Sequence, residues 1–171
     1  MSKLYVDEIR HSGGAVAAMQ FDSTGRVTMP VVPAWRVSIT SDQSFTTSGL
    51  HTVQLDQTDT ENCFLNGGVT ISSYKIVAPV SGIYAVNAYA RINSIGSGYV
   101  QCNISVNDVD TGNSDSYTID GTPPSNYITL QTSDLFSVTA NDTFTFSVYS
   151  SADTSWSLSE VGTIFAGHLV G

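Results

Sequence analysis

Catalysis and metal binding need particular side chains at particular spacings, and this 171-residue chain supplies few of them. Its nearest approach to a metal site is Asn107-Asp-Val-Asp-Thr-Gly-Asn-Ser-Asp115, where Asp108-x-Asp110 has the start of a calcium loop. Such a loop sets a glycine at its sixth position for the sharp bend and closes with a bidentate carboxylate at its twelfth. Here Gly112 comes one place early and Ile119 stands at the closing position, so a solvated acidic loop is the better reading. His11, His51 and His168 are scattered, and none falls in a Ser-His-Asp, Cys-His or His-x-x-x-His spacing. No Gly-rich loop follows a strand and opens a helix, which leaves phosphate cradling unsupported. We therefore expect a non-enzymatic chain with no catalytic residue, no cofactor and no metal.

Composition narrows the partners. Charged residues are only 12% of the chain, hydrophobic residues 41%, and the formal net charge is -9. This is a folding composition, and its sign argues against nucleic acid or an anionic membrane surface as a partner. No stretch approaches the roughly 20 apolar residues that span a bilayer. The opening MSKLYVDEIRHSGG carries no long apolar run of the signal-peptide kind, which disfavours a secreted ligand. Cys63 and Cys102 are the only cysteines. Cys102 alternates with Gln101 and Asn103 in step with Val100, Ile104 and Val106, so it reads as a small buried hydrophobe, with a disulfide left open.

The elements that would position these residues divide the chain in two. Residues 1–33 read as an extended arm: an apolar cluster at Leu4, Tyr5, Val6 and Ile9, then a strand, turn and strand over 21–27, then Pro30 and Pro33. The arm is too small to fold alone. Residues 34–171 form a head in which turn signals punctuate candidate strands at 34–40, 51–56, 69–78, 82–93, 98–107, 116–119, 126–138, 142–150 and 161–170. Helical periodicity and internal repeats are absent, so the pattern indicates an all-β sandwich or barrel. One strand stands out. Gly82-Ile-Tyr-Ala-Val-Asn-Ala-Tyr-Ala-Arg-Ile92 is apolar or aromatic on both faces apart from Asn87, so something besides water should cover its second face.

Three motifs fall in one order along the head. Pro79-Val-Ser-Gly-Ile-Tyr84 makes a turn that opens a strand, Asn141-Asp142 turns between two strands, and Ile164-Phe-Ala-Gly-His-Leu-Val170 closes the chain. Residues 34–171 thereby resemble the globular heads of the complement first component's q subunit and the related tumour necrosis factor cytokines. The resemblance implies a jelly-roll β-sandwich assembled as a tight homotrimer. It places Ala85, Asn87 and Tyr89 of one strand, and Phe165, Gly167 and Leu169 of the last, at the trimer interface, with Gly167 permitting close approach. His168 departs from the family, where an apolar residue is usual.

The arm has a resemblance of its own. Lys3-Leu-Tyr-Val-Asp-Glu-Ile9 followed by Phe21-Asp-Ser-Thr-Gly-Arg-Val-Thr-Met-Pro30 is similar to the N-terminus of structural proteins from tailed bacteriophages. This implies a trimeric virion protein, assembled in the host cytoplasm, that docks by Leu4, Tyr5, Val6 and Ile9 onto the major capsid protein or another virion protein. A compact head on a short arm favours a capsid decoration (cement) protein. The alternative is the receptor- or glycan-binding tip of a tail or head fibre, contacting host surfaces through loops 107–116 and 120–126, with Tyr117 and Tyr127 as the nearby aromatics.

Overall fold

The computed structural model describes residues 8–9, 19–21, 23–29, 32–93, 96–119, 127–151 and 155–170. Every regular element among them is a strand. Three short ones come first: β1 (Glu8–Ile9), β2 (Met19–Phe21) and β3 (Val27–Thr28). They pair antiparallel in the order β1-β2-β3, with Ile9 opposite Met19 and Phe21 opposite Val27. The expected strand, turn and strand over 21–27 is thus a hairpin, with Gly25 left-handed (φ 81°) in its turn.

The chain continues through β4 (Ala34–Ser38), β5 (Gln43–Phe45), β6 (Gly49–Thr52), β7 (Phe64–Asn66), β8 (Thr70–Ser72) and β9 (Lys75–Val77). The long strands follow: β10 (Gly82–Asn93), β11 (Gly98–Val106), β12 (Val109–Ile119), β13 (Ile128–Val138) and β14 (Thr143–Ser150). Short β15 (Trp156–Leu158) and β16 (Ile164–Leu169) complete the set. The larger sheet runs β5-β15-β10-β16-β4-β7, with β13 on the other edge of β10; the smaller runs β12-β11-β14-β9-β8, with β6 also on β14. All pairings are antiparallel.

An aromatic core joins the sheets. Trp35, Tyr84 and Phe165 come from the larger sheet, Phe144 and Phe146 from the smaller, and none is more than 1% exposed. Trp35 stacks on Phe144 at 5.4 Å and Phe146 on Phe165 at 5.6 Å between ring centroids. Tyr84 anchors the turn before its strand, because its hydroxyl donates 3.0 Å back to the Val80 carbonyl. Cys63 and Cys102 are both free and buried. Burial, and secondarily the nearby Asp115 charge, pushes the Cys102 thiol up to about 12, so it packs as an inert apolar group.

Several strand expectations need correcting. The segment 69–78 is a hairpin, β8 and β9, turned at Ser73-Tyr74 with positive φ at both residues; a type I′ turn of that composition gives no Gly or Asn signal. The expected acidic loop 107–115 is mostly strand. Asn107-Asp108 (φ 51° and 62°) is the two-residue turn of the β11–β12 hairpin, and β12 then runs to Ile119. Strands β5, β7 and β15 were not expected, since three residues are too few for a periodic pattern.

Candidate functional site

The outward face of the larger sheet is where the apolar second side of β10 lies. Tyr84, Val86, Ala88, Ala90 and Ile92 are fully buried in the core, so Ala85, Asn87, Tyr89 and Arg91 point the other way. Register then sets their neighbours. Ala85 lies between Leu135 of β13 and His168 of β16, Asn87 between Ser133 and Ala166, and Tyr89 between Gln131 and Ile164. Arg36 of β4 extends the Asn87–Ala166 row. The centre is therefore two alanines and an asparagine, ringed by Tyr89, Ile164, Leu135, Arg36 and His168.

The last strand faces opposite to its expectation. Phe165 is 0% exposed and packs against Trp35 and Phe146, Gly167 is buried, and Leu169 packs on the core. Phe165, Gly167 and Leu169 therefore point inward, and Ile164, Ala166 and His168 take the outward positions. Both parities of Ile164–Val170 carry apolar residues, so sequence alternation did not decide between them; the fit of the aromatic rings did. Gly167 does permit close approach, but of the Trp35 indole within its own sheet pair, which a Cβ at 167 would overlap. Exposed His168 sits beside Ala85 on the outer face.

Polar contacts fix the ring of this face. Gln131 Nε2 donates to the Tyr89 hydroxyl at 3.0 Å. Arg91 donates to the Val161 carbonyl at 3.0 Å and lies 3.8 Å over the Tyr127 ring, a cation–π contact. Tyr127 is thus part of this outer face, whereas Tyr117 lies on β12 opposite Val100 of the smaller sheet. The Arg36 side chain is exposed, and no hydrogen bond or ion pair engages its guanidinium among the described residues. Leu135, 59% exposed, stands on β13 at the sheet's edge.

At one end of the sandwich the acidic turn makes a second cluster. The Asp108 carboxylate accepts both oxygens' bonds from Lys75 Nζ at 2.6–2.7 Å and one from the Thr145 hydroxyl at 3.2 Å. The lysine, then the threonine, hold its carboxyl below the usual carboxylate range. Asp142 is held low by bonds from the Asn107 amide and from the Thr139 amide and hydroxyl. Asp110 accepts from the Gly112 amide and Asp115 from the Gln131 amide, so the carboxylates of 107–115 serve separate partners. Among the described residues, no group of three or more His, Cys, Asp or Glu side chains could hold a metal ion.

Ile9 is half-exposed on β1; Leu4, Tyr5 and Val6, and the loop 120–126, lie outside the described residues. No protein-family model matches the chain, and no curated protein matches it in sequence.

Proposed function

We propose that this chain is a non-enzymatic structural protein of a tailed-bacteriophage particle, a homotrimeric capsid decoration protein that docks by its arm. The observation that carries the assembly is the outer face of the larger sheet. Ala85, Asn87 and Ala166 leave a small-residue centre with open hollows into which a second copy can pack, and Tyr89, Ile164 and Leu135 supply apolar area around it. The interface set is therefore Ala85, Asn87, Tyr89, Ile164, Ala166 and His168. The trimeric count comes from the resemblance to tumour necrosis factor-like heads.

Strand order supports the jelly-roll reading. With the short edge segment β15 set aside, the path β9, β10, β11, β12, β13, β14, β16 changes sheet at every step except the β11–β12 hairpin, the winding that two Greek keys produce. The arm supports the particle reading. Its strands of two or three residues cannot sustain a core, yet Ile9, Phe21, Val27 and Met29 are all more than a third exposed. Each large apolar side chain contributes roughly 1.5–3 kcal/mol if a capsid surface buries it, and three arms on one trimer act together, raising avidity by about 10²–10⁴.

A chain beginning at Ala34 should remain trimeric by light scattering but fail to decorate particles stripped of the native protein. Grafting residues 1–33 onto an unrelated trimer should restore part of the binding. Equal binding by the truncated head would move attachment from the arm to the sandwich.

A further inference from the structure

We infer that the outer face of the smaller sheet carries a binding site for a neutral sugar. Three cross-strand rows build a hollow of about 250 Å³ there. In the first, Tyr149 of β14 stands between Leu50 of β6 and Gln101 of β11. In the second, Ser147 faces Asn103, and in the third Ser105 faces Asp110 of β12.

Outward polar residues of a strand normally lie in water, but Asn103 is only 7% exposed and Ser147 only 4%. Their polar atoms nevertheless open into the hollow rather than being shut in the protein. Among the described residues the Ser147 hydroxyl has no hydrogen-bond partner, and the Asn103 amide makes one long contact, 3.5 Å to the Gln101 carbonyl. Two nearly buried side chains thus hold unspent hydrogen-bonding capacity at the floor of a cavity. A ligand that filled the hollow with apolar groups would strand them at a desolvation cost of about 1–3 kcal/mol each.

The floor offers donors and acceptors together: two amides and the hydroxyls of Ser105 and Ser147. A sugar hydroxyl both donates and accepts, so it matches such a floor. The Tyr149 ring and Leu50 side chain give an apolar wall for the C–H face of a pyranose ring. Asp108 and Asp110 at the rim accept further hydroxyls and, with the chain's charge of -9, repel anionic ligands. Asp108 is already paired with Lys75, which weakens the case for a cation. The hollow is below the roughly 300–1,000 Å³ of drug-sized sites, a size for one sugar ring at a time.

The site lies on the sheet face opposite the proposed trimer interface, and it rests on neither the assembly nor the particle reading. Saturation-transfer NMR on the full chain, with D-glucose, D-galactose, D-mannose, L-rhamnose and N-acetyl-D-glucosamine each at about 10 mM, tests it at the affinity expected of a single ring, near 1 mM. At least one neutral sugar should bind, with glucose 6-phosphate and spermidine weaker. Asn103→Leu, and the milder Ser147→Ala and Asp110→Asn, should each weaken binding at least about threefold, the first about tenfold or more. Tyr89→Asp, on the opposite face, should leave sugar binding unchanged even if it dissociates the assembly. Absence of any neutral-sugar signal, stronger binding of spermidine or the phosphosugar, or unchanged affinity in all three groove variants would overturn the proposal.

Discussion

The two outward faces of the sandwich use similar antiparallel strands and present opposite surfaces. On the larger sheet the row Ser133–Asn87–Ala166–Arg36 runs between rows holding Leu135, Ala85, Tyr89 and Ile164. On the smaller sheet the corresponding rows hold Gln101, Asn103, Ser105, Ser147 and Tyr149. The first surface has small residues at its centre, apolar Tyr89, Ile164 and Leu135 around them, and open hollows beside Asn87 that a protein surface can fill and cover. The second is concave and dense in hydroxyls and amides, which keep their hydrogen bonds only with water or a hydroxylated ligand. A sandwich core looks the same from either side; the outward parity of each strand is what separates a face for protein from a face for a polar ligand.

Charge placed on the two faces should separate them most sharply. Tyr89→Asp, or Ala166→Arg beside the like charge of Arg36, buries one unpaired charge per subunit if the larger sheet's face is an interface, at several kcal/mol per ion. Light scattering should then report monomer with an unchanged β-sheet circular dichroism spectrum. Ser105→Asp on the smaller sheet should leave the assembly intact. An intact assembly in both larger-face variants would place the contact elsewhere.

Inward and outward neighbours on β16 give the next effect. Phe165→Ala should lower head stability by about 3–5 kcal/mol in denaturant melts, because its cavity opens between Trp35 and Phe146. Ala166→Ser, one position along, should change unfolding by less than about 0.5 kcal/mol. Reversed magnitudes would restore the opposite facing of the strand.

Acid should act on the end of the sandwich where β11–β12 and β13–β14 turn. Asp108 and Asp142 have folded-state values below their unfolded ones. Their stabilisation is therefore complete above the unfolded carboxylate pKa of about 3.9 and is lost as pH falls through the lower folded values. The melting-temperature gap between wild type and Asp142→Ala should be constant near neutrality and narrow progressively as pH falls below the unfolded value of about 3.9. A gap that persists at about pH 2 would show that Asp142 acts through its shape rather than its charge.

Calcium should do least. Because Asp108, Asp110 and Asp115 serve separate partners, chelator and millimolar calcium should give the same melting midpoint. An upward shift of many degrees with calcium would mean that these carboxylates converge on an ion.

Much of the fold was legible because burial in a sandwich imposes a period of two. The apolar run from Gly82 to Ile92 between turn signals identified β10, although, being apolar on both parities, it did not by itself show its inward face, and the Pro79–Gly82 and Asn141-Asp142 turns bounded the strands around it. Alternation failed where both parities were apolar, as in Ile164–Val170, and where a strand was shorter than its own period could show, as in β5, β7 and β15. It failed also at Asn107–Asp115, where polar composition read as loop. After the Asn107-Asp108 turn, that segment is the edge strand β12, whose hydrogen bonds to β11 do not depend on side-chain hydropathy.

The sequence alone determined the all-β class and the turns that separate the long strands. These follow from residue-by-residue propensities and local periodicity. Only the tertiary structure decided that Phe165 faces Trp35, that Gly167 makes room for an indole, and that Asn103 and Ser147 meet at the floor of one hollow. Those outcomes depend on which strands become neighbours and in what register, and cross-strand pairing joins residues far apart in the chain, 44 positions for Asn103 and Ser147 and 132 for Trp35 and Gly167.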